Sequence, residues 1–550
     1  MQVTNGVTSW WIPTSDLGPA PRRAYDEPGP TGKHARREAA TGEEGTTMGC
    51  TTILVGRDAS FDGSPIVARN EDSGNGEFNP KRITVVHPED QPRVYTSVIS
   101  RLTVHLPEEP LRYTSAPNAI LSDGIWGEAG INSANVAMSA TETLTTNERV
   151  LGADPFVELR PAQGTPGEEG FVPEVPGGIG EEDFLTLVLP YIHTAREGVG
   201  RLGSLLERFG TYEMNGVAFS DDHEIWWLET VGGHHWIARR VPDDAYVTMP
   251  NQLGIDSFDL HDAEGEGREN LASPDLRAFI GANHLDLSLD GRLNPRDAFG
   301  SHSDADHVYN TPRAWYMQRT LNPHAEDFAG PSPLLTPFSD DIPWSRVPER
   351  RLTIEDVKYV LSSHYQGTAY DPYSRLGTDA ERALLRPIGI NRHSQLSVLQ
   401  VRAHLPEAVR SLQWVAFASN PFNTLVPLYT NVEAIPAYFE DTTARVTSEN
   451  FYWASRILAA LADAHFSDTI PEIERYQQTT VAAALALVAS TDAEIVALGG
   501  DVDEGGMRSR LEAANQRIAD MVRSETERVL DRVLLIASNG MRNRFSRSDG

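Results

Sequence analysis

The chain has 550 residues, of which 40% are hydrophobic and 23% charged, an ordinary globular composition that argues against a disordered or fibrous protein. A formal net charge of −31 argues against nucleic acid or an anionic membrane surface as partner, since binding to either relies on clustered Lys and Arg. The single cysteine, Cys50, rules out an intramolecular disulfide and a cysteine-rich zinc site, and it fits a reducing, cytoplasmic compartment.

Residues 1–49 carry Pro13, Pro19, Pro21, Pro28 and Pro30 among scattered charges, with none of the apolar core of a secretory signal. They read as a disordered leader, either a propeptide or an upstream extension of the true start, because Met48 lies two residues before Cys50. The β-branched and aliphatic run 51–55 (TTILV) predicts a strand and 65–69 (PIVAR) a second, with the turn Phe61-Asp62-Gly63-Ser64 between them. Residues equidistant from the turn of an antiparallel hairpin face each other, so Arg69-Asn70-Glu71-Asp72 is expected to return to the neighbourhood of Cys50. Residues 160–182, rich in Gly, Pro and acids, read as a loop, followed by helices over 184–194 and 198–209.

Between 215 and 252, the strand-like runs VAFS, EIWWLET, HHWIARRV and AYVTMP are separated by turn residues and predict an antiparallel meander. Residues 256–269 read as a loop and 302–343 as an insertion that shapes a pocket, while 396–401 and 413–418 are further strands. After about residue 447 the composition shifts to Ala, Leu, Arg and Glu at helical spacing, predicting helices over 453–464, 471–489 and 508–536. The longest small-apolar run, 481–489, falls far short of the roughly 20 residues needed to cross a bilayer, so no transmembrane helix is expected.

A lone cysteine is most often a small buried hydrophobe without chemical duty. Cys50, however, stands at the head of a strand, directly after a leader and a glycine, where a cut would leave it with a free amine. Such a residue carries nucleophile and base together, because an α-amine of pKa roughly 8 can take the thiol proton. Arg69 would favour the thiolate and Asp72 would orient the α-ammonium; the plain alternative for the two is a surface ion pair.

The run Cys50-Thr51-Thr52-Ile53-Leu54-Val55-Gly56, followed by Asp62-Gly63-Ser64 and Ala68-Arg69-Asn70-Glu71-Asp72-Ser73, resembles the opening of the C69 family of dipeptidases, relatives of bile salt hydrolases and penicillin V acylases. The resemblance continues through Gly127-Glu128-Ala129-Gly130-Ile131-Asn132, Ala137-Met138-Ser139-Ala140-Thr141, Gly232-Gly233-His234-His235-Trp236, Val241-Pro242-Asp243-Asp244 and Pro250-Asn251-Gln252, reaching to about Tyr438. It implies an α+β fold, an αββα N-terminal-nucleophile hydrolase sandwich over residues 50–446, with a mostly helical region over 447–550 packed on the core. It also implies Cys50 as nucleophile, Arg69 and Asp72 as its support, and Asn251 as an oxyanion-hole donor, with no cofactor and no metal. A second supporting arginine does not align cleanly, and Arg392 is the candidate. The implied partners are dipeptides, whose free ammonium calls for a pocket acid such as Glu142; whether copies of the chain associate stays open.

Three other readings compete. A metallohydrolase finds ligand types in His234-His235 and in His302-Ser303-Asp304-Ala305-Asp306-His307, but the HExxH spacing is missing and adjacent histidines on a strand would point to opposite faces. A serine hydrolase lacks its Gly-x-Ser-x-Gly elbow, and Gly177, Gly178 and Gly180 lie in a Pro-rich acidic stretch unlike a nucleotide-binding turn. An acylase of nonpeptide amides, or a noncatalytic binding protein of the same fold, shares the core motifs.

Overall fold

The structure, a computed structural model, describes residues 49–73, 78–330, 332–498 and 503–544. The leader expectation therefore lies outside the described residues except for Gly49. The run after Cys50 forms β1 (Thr51–Val55), which turns back into β2 (Ile66–Asp72) with Thr51 opposite Asn70 and Thr52 opposite Arg69. Gly63 holds a φ of 80° in this turn, a left-handed conformation that costs glycine little. The second strand runs three residues past the expected end because β2 is paired on both edges.

The other strands of the two large sheets are β3 (Ala129–Ile131), β4 (Ala137–Thr143), β5 (Asn215–Ser220), β6 (Ile225–Thr230), β7 (Trp236–Arg240), β8 (Tyr246–Met249) and β9 (Asn270–Ala272), then β10 (Ser345–Arg346), β11 (His393–Val401), β12 (Ser411–Phe417) and β13 (Val426–Tyr429). They build a seven-stranded sheet of order β10-β8-β1-β2-β11-β12-β13 and a six-stranded sheet of order β9-β7-β6-β5-β4-β3, all pairs antiparallel. The expected meander holds for β5 to β7 only. Its fourth strand, β8, crosses to the other sheet and pairs with β1. All four β8 residues are buried, and a place beside the central strand covers both faces of so apolar a segment.

Strand alternation sorts the side chains into layers. Leu54, Val67 and Met249 from one sheet meet Ile131, Ala218 and Trp227 from the other in a shared interior. Ile53, Val55 and Ala68 point the opposite way, against residues of α3 (Thr311–Leu321) and α4 (Ile354–Leu361). Met138, Val217 and Phe219 on the outer face of the six-stranded sheet pack on α1 (Glu181–Val188) and α2 (Ala195–Phe209). The fold is thus of mixed α and β type, with antiparallel sheets covered by helices.

Helix α1 starts three residues before its expected position, inside the segment read as a loop, and gives way to a 3-10 turn at Leu189–Tyr191 that holds Pro190. Three acids, Glu181, Glu182 and Asp183, favour this start through the helix dipole. The segment read as an insertion likewise contains α3. The C-terminal region is helical as expected, in α5 (Phe451–Asp463), α6 (Phe466–Leu498) and α7 (Glu504–Asn539). By length and composition α6 is apolar enough to cross a membrane. The uninterrupted run 481–489 is shorter than this stretch, because the helix carries further apolar residues between scattered polar ones. In the structure, Ile473, Tyr476, Thr480, Ala484 and Val488 form a buried stripe on α6, which packs on α7 and β13.

Candidate active site

Cys50 immediately precedes β1, at the head of a strand flanked by β2 and β8. Carrying the registers Thr52–Arg69 and Thr52–Met249 two residues outward sets Cys50 between Glu71 and Asn251. Alternation then puts the side chains of Cys50, Thr52, Arg69 and Glu71 on the face turned to the six-stranded sheet, and those of Thr51, Asn70 and Asp72 on the face turned to α3 and α4. The two faces carry different chemistry.

On the inner face Cys50 is only 1% exposed, and its Sγ accepts a hydrogen bond from Arg69 Nη1 at 3.1 Å. The same Nη1 lies 3.4 Å from Glu181 Oε1, while Nη2 donates to the Glu128 carboxylate and, at 2.7 Å, to Ala140 O. Behind Arg69, Lys81 Nζ reaches Glu71 Oε1 at 2.7 Å and Glu128 Oε1 at 3.5 Å. Thr52 Oγ1 donates to Glu142 Oε2 at 2.7 Å. Burial pushes the Cys50 thiol well above its ordinary range; Arg69 pulls it down, and Glu181, Glu142 and Asp72 push it up again. With its nitrogen still joined to Gly49, Cys50 is therefore held as the thiol.

On the outer face Arg386 Nη2 donates both to Asp72 Oδ2 and to the carbonyl of Gly49. His393 Nε2 stands 3.2 Å from Asp72 Oδ1, and burial drives this imidazole down to about 4, so it is neutral at pH 7. Arg313, on the first turn of α3, donates through Nη1 to Cys50 O and, at 2.7 Å, to Thr51 Oγ1. Its Nη2 donates to Asn251 Oδ1 at 2.7 Å and to Asn310 Oδ1 at 2.6 Å. Burial lowers Arg313 to about 10, which leaves it charged at neutral pH. The Asn251 amide is anchored on its other side, where Nδ2 donates to Thr143 O at 2.9 Å.

The structure brings Cys50, Arg69, Asp72 and Asn251 together. Arg392 reaches the group through Tyr309, donating to its hydroxyl at 2.7 Å, whereas Arg313 and Arg386 touch the Cys50 segment directly. Both were missed, as were Glu128 and Glu181. The sequence Asn310-Thr311-Pro312 does carry a helix-start signature, with Pro in the first turn, which would have moved Arg313 out of an insertion and onto a rigid element.

The histidine pair corrects another expectation. His234 and His235 precede β7 in a turn, so strand alternation does not apply; both Nδ1 atoms meet the Asp154 carboxylate, at 2.9 and 2.7 Å. These contacts, with the two backbone amides, hold the Asp154 carboxyl well below its ordinary range despite partial burial.

Comparison with known proteins gives the site its class, that of a peptide-bond hydrolase. The model of peptidase family C69 matches residues 49–479, and the chain belongs to that family. A dipeptidase of Bifidobacterium longum (strain NCC 2705) is 62% identical over 538 residues, covering 91% of this chain and 100% of the relative. A probable dipeptidase A of Streptococcus pyogenes serotype M3 is 52% identical over 503 residues, with 91% and 100% covered. Dipeptidase A of Lactobacillus helveticus is 44% identical over 489 residues, with 88% and 96% covered.

Proposed function

We propose that the chain is a cysteine-type dipeptidase in which Cys50, once released from Gly49, acts as nucleophile and base in one residue. The observation that carries the reading is the pairing of Cys50 Sγ with Arg69 at 3.1 Å at the head of a central strand, with the preceding carbonyl held by Arg386, which also donates to Asp72. The two-sheet core covered by helices supports its assignment as an αββα N-terminal-nucleophile sandwich. Small peptides are the substrates, and a reducing, cytoplasmic setting suits a lone reactive thiol.

In this mechanism the freed α-amine takes the thiol proton, and the thiolate, next to Arg69, attacks the peptide carbonyl carbon. Negative charge then develops on the carbonyl oxygen, and Asn251 is the preorganised donor for it. Arg313 fixes the orientation of that amide by holding its Oδ1. The tetrahedral intermediate collapses to a thioester as the C–N bond breaks, and the α-ammonium of Cys50 gives its proton to the departing amino acid. Water, deprotonated by the same amine, attacks the thioester, releases the second amino acid and restores the thiol. Asp72, itself held by Arg386, positions the amine throughout.

Intact mass and N-terminal sequencing of the purified protein, with a mixed-dipeptide hydrolysis assay on wild type and Cys50→Ser, test the reading. Mature protein beginning at Cys50, with dipeptide cleavage lost in the mutant, is the expected result. A chain that keeps Gly49 and is indifferent to the mutation would overturn it.

A further inference from the structure

Buried charges are normally paired, because leaving one unpaired costs several kcal/mol. Two carboxylates beside Cys50 are met through one oxygen only. Glu142 is 0% exposed and Glu181 2%, yet Glu142 Oε1 and Glu181 Oε2 have no hydrogen-bond partner among the described residues. The other oxygen of each is tied to the nucleophile's surroundings: Glu142 Oε2 to Thr52, on the same face of β1 as Cys50, and Glu181 Oε1 to the Arg69 nitrogen that touches Sγ. A register irregularity in β4 between Ala140 and Glu142 marks the kind of bulge that re-aims a side chain. Glu71 Oε2 is likewise without a partner, but Lys81 meets its Oε1 at 2.7 Å, closer than the 3.4 Å between Arg69 and Glu181.

The protein's own cations are already engaged. Arg69 serves Glu128, Glu181, Ala140 O and Sγ, Arg386 donates to Asp72 and the Gly49 carbonyl, and Arg313 donates to Cys50 O, Thr51, Asn251 and Asn310. The amine that Cys50 gains on release belongs with Asp72, where the Gly49 carbonyl now lies. A further cation is called for, and the reaction supplies one. In an aminoacyl substrate the α-nitrogen is two bonds from the attacked carbon, and a sulfur poised for attack stands about 3 to 3.5 Å from that carbon. The ammonium therefore comes within about 6 Å of Sγ, the region these two acids border.

We propose that Glu142 and Glu181 form the subsite for the substrate's α-ammonium, so that the residue before the scissile bond must be an unblocked N-terminal amino acid. The proposal rests on Cys50 being the nucleophile. Burial pushes Glu142 up to about 8, against the pull of Arg313, Thr52 and Arg69, and an incoming ammonium is a partner that would hold it ionised.

The test compares the best-cleaved member of a dipeptide panel with its desamino analogue, which keeps the scissile bond and replaces the ammonium by hydrogen. Wild type is expected to prefer the dipeptide in kcat/KM, and Glu142→Gln and Glu181→Gln to lower that preference by roughly 30-fold or more, the lesser end of the loss on removing one partner of a buried charge pair. Glu142→Asp should restore part of it. Equal losses on both substrates, with faster alkylation of Cys50 as two groups that push its thiol up are neutralised, would show that the acids act on the thiol and would overturn the subsite. Equal cleavage of both substrates by wild type would overturn it too, while leaving Cys50 as nucleophile intact. Cleavage of neither, with no effect of Cys50→Ser, would instead bring down the dipeptidase reading on which it stands.

Discussion

Glu229 on β6 offers a prediction whose size follows from its surroundings. Its Oε1 accepts hydrogen bonds from Trp227 Nε1 at 3.0 Å and from the backbone nitrogens of Gly254 and Ile255 at 2.7 and 3.2 Å, so it ties the chain just beyond Asn251 to the six-stranded sheet. Burial raises this carboxyl from 4.5 to about 7, although those hydrogen bonds pull it down. Below 4.5 the group is protonated in both folded and unfolded chains. Between 4.5 and about 7 the folded protein keeps a proton that the unfolded chain releases, so stability falls as pH rises through that window and levels off above it. At about 1.36 kcal/mol per pKa unit, the loss between pH 5 and pH 8 is roughly 2 to 3 kcal/mol. Glu229→Gln keeps an acceptor for the three donors and removes the titration. Urea unfolding of wild type and variant should show the variant gaining about that much on wild type over the interval. A stability difference that is the same at both pH values would refute the reasoning, because it would mean that the folded carboxyl titrates near its ordinary value.

Three further outcomes are expected. Arg313→Lys replaces a planar fork by a point donor and strands acceptors at Cys50, Asn251 and Asn310; steady-state kinetics should show kcat falling by about 10²- to 10³-fold, the cost of a misplaced oxyanion donor, with little change in KM. Arg69→Met removes the cation that pulls the thiol down, so iodoacetamide should alkylate Cys50 about tenfold more slowly, and the stranded Glu128 should cost about 3 to 5 kcal/mol in unfolding free energy. Arg386→Met frees the Gly49 carbonyl and Asp72, and timed intact-mass measurements should show slower release of the Cys50 amine.

Much of the site was legible because it depends on short-range pairing. The hairpin places Arg69 and Asp72 beside Cys50 by counting from Gly63, and the turn residues around it leave little choice of register. Asn251 was found by its motif; its position was wrongly attached to a meander, since nothing local distinguishes a strand that stays in its sheet from one that crosses to another. The unread part is ionic and long-range. Glu128, Glu181, Lys81, Arg313 and Arg386 are polar residues that look like solvated surface until folding buries them in pairs. Only tertiary packing decides that the acids at the start of α1 line an interior. The histidine pair failed for a simpler reason: the strand begins two residues later than its β-branched and aromatic pattern suggests.

The crossing of β8 makes the two sheets parts of one lever. The link 241–245 leaves the six-stranded sheet at β7 and delivers Asn251 to Cys50 at the far end of β8, so the spacing between the sheets is transmitted to Cys50 through a strand of four residues. Gly56 and Asp58, at the other end of β1, are bonded to Ala245 and Asp243 of the same link, which clips it to the nucleophile's own strand. A surface turn of this kind usually tolerates added residues. Here an insertion taken up as a one-residue slip of β8 along β1 would turn its side chains to the opposite face, moving Val247 and Met249 out of the shared interior and carrying Asn251 away from the thiol. Length at this turn is therefore part of what sets Asn251 beside Cys50.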